Sequence, residues 1–196
     1  MITALAVSIV DMLCNALAIE EDDKELYTYG FFILLSHLFY LAIAILLGVL
    51  LGILTENLLF YIFFMLLRNY AGGFHAKSER VCTLLTILAM LCAIVGIILL
   101  EFANSVCASF GLLILGVICI FAFSPLDSSA KPLSEGERQR YRNISRAYTI
   151  LFLLLGVCTH IVGMFSILNV ISISIGLEGI LLLAGSVSLR FSPQKS

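Results

Sequence analysis

The sequence predicts an all-α, polytopic membrane protein, with about six transmembrane helices behind an N-terminal amphipathic helix. Three observations lead there. The first is composition: 61% of the 196 residues are hydrophobic and 12% charged, with a mean hydropathy of +1.11. A soluble domain is about half apolar and a quarter charged. The second is that apolar runs recur along the whole chain, at close to the ~20 residues a ~30 Å hydrocarbon core requires. The third is charge segregation. All 11 lysines and arginines fall on one alternate set of connections, and none falls at 55–56, 101–104 or 168–169. These observations give a single integral membrane domain over 1–196. A net charge of −2 and the lack of a basic tail give no footing for nucleic acid.

Residues 1–25 read as an amphipathic helix on the cytoplasmic face with an acidic linker. Ile2, Leu5, Ile9, Met12, Leu13, Ala16 and Leu17 share one side, Ser8, Asp11 and Asn15 the other, and the acidic run Glu20 to Asp23 follows. Asp11 and Asn15, with no basic start and no small-residue cleavage site, argue against a secretory signal. The transmembrane bundle covers 29–190, with crossings expected at 29–54, 57–70, 81–100, 105–124, 147–167 and 170–190. The second is short and runs into Gly72-Gly73, so its cytoplasmic end needs shielding by neighbours. A basic cytoplasmic loop is expected over 125–146, where Ser134 and Glu137 have the spacing of a capping box opening a short basic helix. The basic connections carry Lys24, then Arg68, Lys77 and Arg80, then Lys131 to Arg146, then Arg190 and Lys195. The positive-inside rule puts that set, and both termini, in the cytoplasm.

The chemistry-bearing segment is the loop 68–80 and the helix start behind it: Arg68-Asn-Tyr-Ala-Gly-Gly-Phe-His75-Ala-Lys-Ser-Glu-Arg-Val-Cys82. A thiol beside an imidazole is the minimum equipment for nucleophilic acyl chemistry, because the base takes the proton and the thiolate attacks a carbonyl. A straight helix would leave His75 and Cys82 about 10.5 Å apart along its axis, whereas proton transfer needs about 3 Å. A catalytic pair therefore requires a bend. Gly72 and Gly73 permit one, and Ser78 is a suitable N-cap for a helix beginning at Glu79. Cys82 then falls in the first turn, where the helix dipole, Arg80 and Lys77 favour the thiolate, and a reducing cytoplasm keeps it free. Spacing alone suits a chance histidine followed by a packing cysteine equally well. Cys14, Cys92, Cys107, Cys119 and Cys158 lie on apolar or amphipathic runs and read as small buried hydrophobes.

The 68–82 stretch resembles the signature of the accessory gene regulator B (AgrB) family of bacterial membrane cysteine endopeptidases. Pro125-Leu-Asp127-Ser-Ser-Ala-Lys131-Pro132-Leu resembles that family's second block, and the block spacing, hydropathy profile and length also fit. The resemblance implies a multi-pass protein of the bacterial cell membrane that cleaves an AgrD-like propeptide at its C-terminal side through an acyl-thioester. It promotes closure to a cyclic quorum-sensing (thio)lactone, with no cofactor and no metal. By the same resemblance Cys82 is the nucleophile and His75 the general base, with Arg68 and Gly73 at functionally important motif positions; Gly72, Lys77 and Ser78 are supporting residues on the local reading of the loop. Asp127, Lys131 and Pro132 share the resemblance without an assigned role, although Lys131 is a candidate to receive an acidic substrate tail. A homodimer is the assembly it favours.

The rival class is a non-enzymatic transporter or peptide-exporter component, with His75, His160 and Glu178 along a path. No repeat or pair of broken helices supports it. A metal site is under-supplied with two ligands. Hairpin arithmetic about a turn at 168–169 places His160 and Glu178 at matching depth, and an ionisable group there needs a partner. It predicts a His160–Glu178 polar clasp of structural character. Arg68 closes an apolar run, where it either pairs with a carboxylate or anchors the topology.

Overall fold

The computed structural model describes residues 2–16, 21–72, 79–126 and 134–191. Among the described residues seven α-helices follow in order: α1 Ile2–Asn15, α2 Lys24–Leu51, α3 Leu54–Ala71, α4 Glu79–Ala103, α5 Val106–Phe123, α6 Glu135–Val162 and α7 Phe165–Phe191. A 3-10 turn, Glu21–Asp23, precedes α2. Five of these helices, α2 and α4 to α7, are long and apolar enough to cross a membrane. The protein is a multi-pass membrane protein with a lipid bilayer as its solvent.

The expected sixth crossing is α3, and it is built differently. Its 18 residues carry Glu56, Asn57, Arg68 and Asn69, which lower its hydropathy below that of the five. At 1.5 Å per residue it is about 27 Å long. Asn57, Phe60, Tyr61, Phe64, Leu67 and Ala71 are buried because α2, α6 and α7 pack around it. Asn57 Nδ2 donates to the Ala44 carbonyl of α2 at 2.7 Å. Tyr61 Oη donates to the His37 carbonyl at 2.8 Å. α3 is thus shielded by protein rather than by its own apolarity.

Helix α7 is the hub, packing on α3, α4, α5 and α6. It meets α5 at backbone distance, since a Cβ on Gly179 would lie 2.8 Å from Gly116 Cα. In lipid, where apolar burial gives little drive, such small-residue contacts supply the packing. Ser172 and Ser174 donate within the helix to Leu168 O and Val170 O, each at 2.8 Å, so the buried hydroxyls cost little.

Helix α1 lies on α2, and Asp11 Oδ1 stands 2.8 Å from Lys24 Nζ. Its packed stripe is Ala6, Val10 and Cys14, offset from the face expected from residue size; Leu5 and Met12 point away, 52% and 63% exposed. Cys92, Cys107 and Cys158 are also exposed rather than buried. Their apolar helices turn these thiols toward the bilayer side instead of the core.

The short turns fall at Gly52–Ile53, Asn104–Ser105 and Gly163–Met164. They share one end of the bundle, where Gly52, Asn104 and Phe165 line one cavity of about 410 Å³. The turn expected at 168–169 is displaced. Gly163, at φ 82°, takes the left-handed conformation that ends α6, and Met164 N–H closes the cap on Thr159 O at 2.8 Å. Asn169 instead sits inside α7, accepting from Ser109 Oγ at 2.6 Å. At the opposite end, the capping box at Ser134 and Glu137 is present. The helix it opens is not short: the basic residues from Glu135 onward are the first turns of α6, continuous with its membrane span.

Candidate functional site

Helix α3 ends where the first polar block begins. Gly72 has φ 77° and ψ −148°, a backbone that side-chain-bearing residues rarely adopt. Its N–H donates to Arg68 O at 3.3 Å, and its carbonyl accepts from Arg68 Nη1 at 2.8 Å. The same glycine forms a backbone bridge with Leu126, secured by Leu126 N–H donating to Ala71 O at 3.0 Å. A Cβ at Gly72 would fall on the Leu126 carbonyl oxygen. The two polar blocks, 54 residues apart at these positions, therefore meet backbone to backbone.

The chain reaches Leu126 through Ser124 and Pro125, joined by a cis peptide. Ser124 Oγ pairs with Ser145 Oγ of α6 at 2.8 Å. Arg146 Nη2 donates to Phe121 O at 3.1 Å and its guanidinium lies 5.2 Å from the Phe121 ring centroid. Tyr70, two residues before Gly72, rests edge-on against Tyr141 at 5.7 Å and stacks on Tyr148 at 5.8 Å. These contacts fasten the ends of α3 and α5 to the N-terminal part of α6.

Below this junction is a buried ion pair. Arg68 Nη1 stands 3.7 Å from Glu178 Oε1, with the arginine side chain 20% exposed and the glutamate 0%. Depth follows from counting at 1.5 Å per residue from the short-turn end. Arg68 and Glu178 lie about 20 Å in, Gly72 about 27 Å and the Cys82 backbone about 32 Å. A ~30 Å core places Gly72 and Cys82 at its far boundary and the ion pair one to two turns beneath them.

The expected His160–Glu178 clasp does not form. With the turn at Gly163, His160 lies near the end of α6 and Glu178 near the middle of α7. The His160 ring packs against Phe110 and Phe165, at centroid distances of 5.3 and 5.8 Å. Glu178 takes Arg68 as its partner instead. Sequence reading missed this pair because the partners, Arg68 and Glu178, stand more than a hundred positions apart in the chain. A shared depth near 20 Å was its only available signal.

Of the sequence-derived site residues, the fold brings Arg68 and Gly72 together. The described part of α4 runs from Glu79 and includes the Cys82 backbone, and Tyr40 Oη of α2 donates to Thr83 Oγ1 beside it at 3.4 Å. Gly73, His75, Lys77, Ser78, Asp127, Lys131 and Pro132 lie outside the described residues, as does the Cys82 side chain. The expected contact of ~4–5 Å between the His75 ring and Cys82 Sγ falls there too.

The family model for Accessory gene regulator B matches residues 6–182, nearly the whole bundle. The chain belongs to the AgrB family. It is similar to AgrB-like protein 2 of Clostridium perfringens strain 13, 27% identical over 169 residues, covering 82% of this chain and 78% of that protein. An AgrB-like protein of C. perfringens strain SM101 matches to the same extent. One from Halalkalibacterium halodurans is 28% identical over 184 residues, 93% of this chain and 87% of its own length. No solved structure matches the chain. Within this AgrB protein, the matched region contains both polar blocks, the Arg68–Glu178 pair and all but the last turns of α7.

Proposed function

We propose that this AgrB protein is a membrane cysteine endopeptidase of a quorum-sensing system, acting on an AgrD-like propeptide at the cytoplasmic face. The observation that carries the reading is the Gly72–Leu126 bridge, which joins the two blocks of the family at the level of the Cys82 helix start. In the reaction, His75 takes the Cys82 thiol proton and the thiolate adds to the scissile carbonyl. The C–N bond breaks, the departing amine takes the proton back from His75, and the N-terminal part of the peptide stays as an acyl-thioester on Cys82. A nucleophile within that peptide, usually its own cysteine thiol, then adds to the same carbonyl. The bond to Cys82 Sγ breaks and a thiolactone closes; a hydroxyl nucleophile gives the lactone. Thioester exchange is nearly isoenergetic, so the ring forms only where water is kept from the acyl-enzyme. Tyr70, Tyr141 and Tyr148 form an aromatic wall beside the junction that suits this demand.

The test is cleavage of the cognate propeptide in membranes. Cys82→Ser and His75→Ala each abolish it, iodoacetamide inactivates, and EDTA has no effect. Cleavage by Cys82→Ser at the wild-type rate sinks the peptidase reading and returns the protein to the exporter class.

A further inference from the structure

The ion pair beneath the junction has no evident reason to exist as a stabiliser. Glu178 is fully buried in the hub helix, and among the described residues neither of its oxygens receives a hydrogen bond. Its approach to Arg68, 3.7 Å between Nη1 and Oε1, is longer than a hydrogen bond. Buried pairs of this kind are often replaced by apolar residues at no cost to stability. What the pair does have is a third member: the same Nη1 donates to Gly72 O at 2.8 Å. That carbonyl leads directly into the segment carrying His75.

We propose that Glu178 is a positioning residue of the candidate site, holding the Arg68 guanidinium against the Gly72 carbonyl and so fixing the direction in which the chain leaves α3 toward His75. The inference rests on the peptidase reading for its activity readout. Arginine suits the task because its planar fork directs its N–H groups rigidly. A carboxylate about 20 Å deep gives the guanidinium a reason to stay in the apolar interior. Without it, the guanidinium loses this buried counter-charge and tilts more readily toward the aqueous boundary, as basic side chains near helix ends do, which weakens the hydrogen bond to Gly72. A displacement of about 1 Å in a catalytic base costs on the order of 10²-fold in rate.

The experiment uses the full chain in native membranes with two readouts. One is propeptide cleavage. The other is the pH profile of Cys82 alkylation, with the other five cysteines replaced, which reads His75–Cys82 coupling without any substrate. Glu178→Gln lowers kcat roughly 10²-fold with KM little changed and moves the alkylation profile to that of His75→Ala; Glu178→Asp regains part of both. Arg68→Met combined with Glu178→Leu regains the thermal stability lost in Glu178→Gln, because the uncompensated charge is gone, yet stays slow. A purely structural role predicts that this stable double variant cleaves normally, and that result overturns the proposal. So does a Glu178→Gln alkylation profile identical to wild type. A wild-type protein lacking Cys82-dependent cleavage overturns the peptidase reading alone, since the alkylation profile still tests Glu178.

Discussion

At the scale of single residues, the site is governed by two positions whose constraints are opposite in kind. Gly72 is fixed by space and dihedral: its φ of 77° and the Leu126 carbonyl beside it leave no room for a methyl group. Gly72→Ala should cost on the order of 1–3 kcal/mol in strain and part the two blocks. Propeptide cleavage should fall by about tenfold or more while the protein still inserts and extracts as folded, and wild-type cleavage by this variant would show that the Gly72–Leu126 contact is dispensable. Glu178 is constrained by charge. Hairpin arithmetic about a turn at 168–169 makes it a structural partner of His160, and Glu178→Gln then leaves cleavage intact. Arg68 replaces His160 as the partner, and the proposed positioning role makes Glu178→Gln slow instead. His160, boxed by Phe110 and Phe165, is the residue whose substitution by Gln should leave cleavage near wild type.

At the scale of elements, the contact of α5 with α7 decides whether Glu178 arrives at the right depth. Gly116 and Gly179 let the two backbones touch, and Gly116→Leu forces them apart at a place where Ile175 and Gly176 backbone atoms already fill the space. Overpacking of this kind costs about 1–3 kcal/mol, so a drop of several degrees in the melting temperature in detergent is expected, with cleavage lost in parallel. Unchanged melting would mean that α7 can shift without penalty. The α1–α2 contact is a weaker element. Asp11 and Lys24 are 45% and 38% exposed, and solvent screening limits such a pair to about 0–1 kcal/mol. Asp11→Ala should therefore be near neutral in both melting and cleavage. Deletion of residues 1–19 asks separately whether α1 serves the substrate; unchanged cleavage by that variant removes it from the mechanism.

At the scale of the whole molecule, the bundle has one end of short turns and one end where polar blocks, basic residues and the extended start of α6 gather. The positive-inside rule predicts that this second end faces the cytoplasm. A membrane-impermeant thiol reagent added outside intact cells should spare a cysteine introduced at Ser134 and label one introduced at Ser105; the reverse pattern would invert the topology. The largely unburied faces of α2 and α4 are open to lipid or to a second copy. Crosslinking in native membranes that yields only monomer would count against the homodimer that the resemblance favours.

The sequence by itself determined what depends on local pattern. Apolar runs gave the helices, Ser134 and Glu137 gave the start of α6, and the family blocks marked the candidate site. It misplaced the last turn because Asn169 has the chemistry of a turn residue, and only its buried hydrogen bond to Ser109 makes it helical. The buried stripe of α1 escaped for a similar reason: packing on α2 selected Ala6, Val10 and Cys14 over larger neighbours. Tertiary structure alone decided which distant groups share a depth. Gly72 against Leu126, and Arg68 against Glu178, are set by how far each helix slides along its neighbours. That sliding is fixed by side-chain packing between helices, which no periodicity within one helix records.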